Sequence, residues 1–242
     1  MTAPRKLIAG NWKMHGLRAS IAALDATIAG LPDGADVSIH PPLTLLAHFA
    51  ERATGRVLIG AQDVTPGTFG ARTGDISAAM IVDAGARAVI VGHSERRAFH
   101  HETDADVRAK AEAARAAGLL AILCVGENEA ERDAGTALAV IAAQLDGSLP
   151  HGEGPPFAVA YEPIWAIGSG RTPSLEQIAQ VHAAIRARVG PGTRILYGGS
   201  VKPANAGAIL ATTNVDGALV GGASLTAADF LPIVEAGARA TR

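Results

Sequence analysis

The sequence predicts an α/β protein built as a single closed (β/α)8 barrel of parallel strands. Three observations carry this. Eight short apolar runs recur along 242 residues, each followed by an alanine-rich stretch with helical spacing. Most of the runs are apolar without alternation, as strands buried on both faces are. Nearly every run ends in a residue able to do chemistry, which is how the strand ends of such barrels carry their sites.

The runs are Leu7–Gly10, Val37–Ile39, Val57–Gly60, Ala88–Val91, Leu119–Val125, Phe157–Tyr161, Ile195–Leu196 and Gly217–Val220. Strand and helix alternating eight times implies a parallel sheet with helical crossovers. A doubly wound open sheet is the rival, and the count of eight in this length favours the barrel. The clearest helix is Ser174–Val189. Ser174 is placed to cap it with Gln177 completing a capping box, and Leu175, Ile178, Ile185 and Val189 mark one face. Gly190-Pro191 ends it. Weaker helical patterns cover Leu17–Ala29, Thr103–Ala117 and Leu225–Ala236, the last interrupted by Pro232. With no linker, low-complexity segment or composition break, residues 1–242 read as one barrel domain.

Composition limits the function classes. A hydrophobic fraction of 48% supplies a large core, and a formal net charge of −2 gives no basis for nucleic acid or an anionic membrane as partner. The single cysteine, Cys124, excludes an intrachain disulfide. The N-terminal MTAPRKLIAGNWK has no apolar signal core, and no apolar run is long enough to span a bilayer. A cytoplasmic location is expected.

The strand ends then sort by chemistry. Glu162 follows the sixth run in AYEPIWAIGSGR, where Pro163 stops sheet pairing and an apolar flap on glycines follows. That reads as a base under a closing lid, or as a surface acid before an ordinary loop. Lys13, in NWKMH, holds an anionic substrate, forms a Schiff base, or is a solvated lysine. Asn11 donates to a substrate oxygen or pins the loop. His93, in VGHSERR, stands before a helix whose positive end disfavours an added proton, so a neutral imidazole is expected. Glu95 is placed to pair with Lys13, and Arg96 and Arg97 read as structural ion-pair formers.

Two glycine stretches, Tyr197–Ser200 and Gly221–Ser224, follow the seventh and eighth runs. Glycine lets backbone N–H groups crowd an oxyanion, and the loops after strands seven and eight of such barrels commonly hold phosphate. Ser200 adds a hydroxyl, and Gly168 adds an N–H from the flap. There is no nucleotide-binding glycine motif and no metal-ligand spacing, so no cofactor and no metal is expected. Cys124 reads as a small buried hydrophobe. Together these groups suit proton transfer between adjacent carbons of a small phosphorylated sugar. Glu162 acts as the carbon base, His93 and Lys13 stabilise the enediolate oxygens, and the lid excludes water.

The stretches AGNWKMH, VGHSERR, YEPIWAIGSG, YGGSV and DGALVGGASL, in this order and spacing, closely resemble the triosephosphate isomerase family over essentially the whole chain. The resemblance implies a TIM barrel that isomerises a phosphorylated triose in glycolysis and gluconeogenesis. It implies Glu162, His93 and Lys13 as catalytic residues, and Asn11, Lys13, Gly168, Ser200, Gly221 and Gly222 as substrate-binding residues. Ser94, Glu95 and Cys124 are supporting residues. It further implies a homodimer in which the loop Gln62–Asp75 reaches the other subunit and Thr73 approaches its Asn11. The chain departs from the commonest family pattern at His15, Arg72, Asp75 and Arg171–Pro173. In the family's closed lid a tyrosine like Tyr197 bonds the backbone N–H at the position of Pro173, and proline has none. The alternatives are the same reaction on a four-carbon ketose phosphate, a Schiff-base lyase using Lys13, and a phosphate-binding barrel without catalysis.

Overall fold

The computed structural model describes residues 5–53, 55–152, 154, 156–167 and 171–240. Eight parallel strands close into a barrel in sequence order, β1 pairing with both β2 and β8. They are β1 (Leu7–Asn11), β2 (Asp36–His40), β3 (Leu58–Ala61), β4 (Ala88–Val91), β5 (Leu120–Val125), β6 (Phe157–Tyr161), β7 (Arg194–Tyr197) and β8 (Gly217–Val220). All eight predicted runs become strands, with ends moved by a residue or two. The second and seventh lengthen most, by one residue at each end, and the seventh shows why. Arg194 opens it on the same face as the inward Leu196 and forms an ion pair with Asp36 at 2.8 Å at the N-terminal end of the barrel, so hydrophobicity alone does not mark its start.

Ten α-helices accompany the strands among the described residues: α1 (Ile21–Gly30), α2 (Leu46–Arg52), α3 (Ala78–Asp83), α4 (Ser94–His100), α5 (Asp104–Ala116), α6 (Glu129–Asp133), α7 (Ala137–Ser148), α8 (Leu175–Val189), α9 (Pro203–Leu210) and α10 (Ala227–Ala240). The predicted capping box is present on α8. The Gln177 N–H donates to Ser174 Oγ, and the Ser174 N–H donates to Gln177 Oε1. Two expectations move. The first helix starts at Ile21, because Arg18–Ser20 form a tighter 3₁₀ turn. The last starts at Ala227, after Thr226 accepts from the Asp229 N–H, and it runs through Pro232 to Ala240.

The core has two layers, as barrel geometry requires. Leu7, Ala9, Ile90, Ile122, Cys124, Ala158, Ala160, Leu196 and Leu219 form one buried cluster inside the barrel. Alternate residues of the same strands, such as Ile8, Val89, Leu123, Val159 and Ile195, pack outward against the helices. Period-two alternation therefore sends one set of side chains into the barrel axis, and at the last residue of β1 it aims Asn11 at the mouth. Among the described residues no helix is long and apolar enough to cross a membrane.

Candidate active site at the barrel mouth

Asn11, Lys13, His93, Glu162, Ser200, Gly221 and Gly222 all line one cavity of about 480 Å³ at the C-terminal ends of the strands. Gly168 and its neighbours Ser169 and Gly170 lie outside the described residues.

Lys13 sits one residue beyond Trp12 in a left-handed backbone conformation, φ 52°, which non-glycine residues adopt only when held. Two contacts hold it. Its N–H donates to Asn11 Oδ1 at 3.0 Å, and its carbonyl accepts from Gln62 Nε2 at 2.9 Å. Asn11 thus pins the loop while also facing the cavity. The Lys13 side chain passes Gly221, where an added Cβ would lie 3.7 Å from its Cε, and ends in an ion pair with Glu95 at 2.6 Å. The predicted pairing of these two across the mouth is present.

His93 is the N-cap of α4, and its Nδ1 accepts from the Glu95 N–H at 3.2 Å. A nitrogen that accepts carries no proton, so the neutral ring bears its hydrogen on Nε2. Nε2 lies 2.9 Å from Glu162 Oε1. The expectation that the helix end depresses this histidine is not met in the substrate-free arrangement. Burial pulls its pKa down, but the carboxylates of Glu162 and Glu95 outweigh burial and raise it above the ordinary value.

Glu162 follows β6 directly, held by its N–H to Val125 O at 2.8 Å, and is 1% exposed. Its Oε2 accepts from the Ser94 N–H at 2.9 Å, at the first turn of α4. Burial pushes this carboxyl upward, but His93, the Ser94 N–H and Lys13 more than offset it, and the net pKa is below the usual glutamate range. Room for Glu162 comes from glycines. An added Cβ at Gly198 would lie 3.0 Å from its Cγ, and one at Gly126 would lie 1.8 Å from its carbonyl oxygen.

The glycine loops do more than was read from them. Gly199 makes space for the Tyr197 hydroxyl, 2.2 Å from where its Cβ would be, so the pair Gly198-Gly199 is needed for packing as well as for the cavity wall. Ser200 Oγ donates to Ala166 O at 2.8 Å, so its hydroxyl ties the flap in this arrangement instead of facing the cavity free. Cys124 is fully buried in the barrel interior, and burial together with Glu162 pushes its thiol up. Arg96 pairs with Asp63 and Glu102, and Arg97 with Asp104, as structural ion pairs. Thr73 is exposed and does not line its own barrel's mouth.

One cluster went unread. Glu127, fully buried, accepts through Oε1 from Arg132, the Tyr161 hydroxyl and the Trp165 indole N–H, the last at 2.9 Å. It anchors the start of the flap, and the guanidiniums of Arg132 and Arg171 stack on Trp165. The only sequence signal was an acid beyond the fifth strand. Lys202 and Asp229 also line the cavity and were not singled out. Among the described residues no group of three or more His, Cys, Asp or Glu side chains is placed to hold a metal ion.

A family model described as triosephosphate isomerase matches residues 6–237. A triosephosphate isomerase of Ruegeria pomeroyi is 60% identical over 244 residues, spanning 96% of this chain and 97% of that protein. One from Ruegeria sp. strain TM1040 is 58% identical over 241 residues, spanning 96% and 98%. A crystal structure of the Bartonella henselae triosephosphate isomerase superposes with a TM-score of 0.89 at 45% identity, covering 96% of this chain and 99% of that one.

Proposed function

The chain belongs to the triosephosphate isomerase family, and from that premise we infer that it interconverts D-glyceraldehyde 3-phosphate and dihydroxyacetone phosphate. The observation that carries the reading is the convergence of Glu162, His93 and Lys13 on one cavity with two glycine loops.

In this reading Glu162 removes the proton from carbon. His93, with its proton on Nε2, donates to the developing enediolate oxygen, and the Lys13 ammonium stabilises that charge. Asn11 contacts substrate beside Lys13. The N–H groups of Gly221 and Gly222, joined by Ser200 and Gly168, receive the phosphate. Ser94, Glu95 and Cys124 support these groups. Substrate must displace Glu162 from the Ser94 N–H and from His93. Those contacts hold its pKa down, and what remains is burial, which raises it, against the weaker pull of Lys13. The carboxylate therefore becomes a stronger base as it reaches carbon. No cofactor enters the reaction.

The ion pair of Lys13 with Glu95 suits an electrostatic partner better than a Schiff-base amine. A homodimer completes the reading. Met14, Leu17, Phe69 and Phe99 are each more than three-quarters exposed in one chain, the pattern of surface awaiting a partner. Thr73 would sit at that interface, and light scattering of Thr73→Arg against the parent tests it. We place this single barrel domain in the cytoplasm, consistent with its one buried, unpaired cysteine.

A coupled isomerase assay on the parent and Glu162→Asp tests the function. Shortening the side chain by one methylene withdraws the base from carbon. Turnover is expected to fall about 100-fold or more, with KM changed far less. A parent without triose phosphate turnover, or a variant within a few-fold of it, would overturn the reading. Running a four-carbon ketose phosphate alongside distinguishes the alternative substrate.

A further inference from the structure

The cavity holds two lysines. Lys13, at the end where chemistry is placed, is already paired with Glu95. Lys202 lines the same cavity, two residues after Ser200 of the glycine stretch that follows β7 and at the N-cap of α9. It belongs to no ion pair among the described residues, and its side chain is exposed to solvent at the rim. Beyond Lys13, His93 and Glu162, the remaining charged group lining the cavity is Asp229. Thr226 Oγ1 donates to its carboxylate at 3.0 Å, in the first turn of α10, where the helix end offsets its charge.

We propose that Lys202 is a substrate-binding residue that attracts the phosphate into the glycine cradle. The inference rests on the cradle reading above. A phosphate monoester carries close to two negative charges at neutral pH, and the chain is itself net negative. An incoming dianion therefore needs local positive potential at the mouth. Backbone N–H groups supply hydrogen bonds at short range but little long-range attraction. A lone lysine at the rim of a concave wall supplies that attraction, because low-dielectric walls focus its field into the cavity. Its place outside the reacting end means that it acts on capture of the phosphate and leaves proton transfer alone.

Steady-state kinetics on Lys202→Gln, Lys202→Arg and Lys202→Glu, across a range of salt, test this. The position is exposed, so folding is retained, and a thermal melt checks it. Lys202→Gln should lower kcat/KM by about three- to tenfold at low salt, with kcat within about twofold of the parent. Arginine should restore the parental value, and glutamate should lower it further. The gap should close as the screening length falls from about 30 Å at 0.01 M salt to about 3 Å at 1 M. Inorganic phosphate, used as a competitive inhibitor, should bind Lys202→Gln more weakly by a similar factor. If Lys202→Gln keeps the parental kcat/KM and salt slope, or its loss persists unchanged in high salt, the inference is overturned. In that event phosphate would still compete in the parent. Failure of phosphate to compete in the parent would overturn the cradle itself, and this inference with it.

Discussion

Gly126→Ala should disable the site without touching any reacting group. A Cβ at Gly126 would lie 1.8 Å from the carbonyl oxygen of Glu162 and 2.7 Å from its carbonyl carbon. Ordinary contacts begin at 3.4 Å, so the two strand ends must part by about 1.5 Å. The obstacle is backbone on both sides, and neither strand is free to retreat. β5 is paired along its length to β4 and β6. Gln144 clamps Gly126 from the far side, accepting from its N–H at 2.8 Å and donating to its carbonyl at 2.9 Å. Glu162 itself donates its N–H to Val125. The displacement therefore passes to the Glu162 backbone. A misplacement of about 1 Å at a reacting group costs about 100-fold in rate. Overpacking of this kind also costs about 1–3 kcal/mol of stability. The coupled isomerase assay should show kcat down by about two orders of magnitude, and a melt should show a folded but less stable protein. Gly207→Ala, in α9 with nothing within 4 Å of its added Cβ, is the control and should be neutral or stabilising. A Gly126→Ala enzyme within threefold of the parental kcat would refute the claim that this glycine sets the position of Glu162.

Two buried histidines make stability depend on pH. His40 and His182 are fully buried, and burial lowers each to about 4 from an ordinary value near 6.5. The unfolded chain binds these protons first, so stability is full above about pH 6.5 and is lost as pH falls toward 4. Each contributes about 3 kcal/mol at most over that window. Denaturant titrations between pH 7 and pH 4 should show this fall, and His182→Asn should flatten it by close to one proton; an unchanged slope would contradict the assignment. The Tyr197 hydroxyl is buried with no hydrogen-bond partner among the described residues. Tyr197→Phe should therefore leave stability unchanged or raise it by about 1 kcal/mol. Pro173→Ala restores an N–H and should give the hydroxyl a use when the lid closes. A double-mutant cycle read by relaxation dispersion should show coupling of about 1 kcal/mol, and no coupling would mean that Pro173 is not what leaves the hydroxyl idle.

The barrel was legible because its strands are buried on both faces and so are written as uninterrupted apolar runs. What blurred was local. Arg194 belongs to β7 through backbone pairing with Ala158, and its charge is accommodated by an ion pair with Asp36 that no hydrophobic pattern reports. The short helices α2, α3, α4, α6 and α9, five to eight residues each, carry too few turns for a helical period to stand out. That Glu162, His93 and Lys13 share one cavity was legible because polar residues at strand ends are conspicuous after apolar runs. Their partners were not. Glu162 is held by a backbone N–H of Ser94, 68 residues away, and a backbone donor has no letter in the sequence. Glu127 gathers Arg132, Tyr161 and Trp165 from three segments, a set that only the closed barrel assembles.

On the proposed mechanism, the state of Glu162 gives a closing flap its purpose. A carboxylate with almost no exposure ought to be a reluctant anion, yet here it is held ionised by two donors and a cation. In that condition it is stable and a poor base. The donors sit at the start of α4 and the carboxylate directly after the strand that leads into the flap, so in the proposed mechanism flap closure and arrival of substrate would act on the same contacts. In that mechanism substrate would take the place of the Ser94 N–H and of the His93 contact, while closure would keep water from restoring the lost solvation. The proposed base would then strengthen only when its target is present. Removing the anchor that fixes the flap's start should weaken that coupling. Trp165→Phe deletes the indole donor to Glu127 at 2.9 Å and leaves the ring's packing nearly intact. Turnover should fall while inorganic phosphate still competes, because the cradle glycines do not depend on Trp165. Equal loss of turnover and phosphate affinity would place the indole's role in building the cradle and not in moving the base.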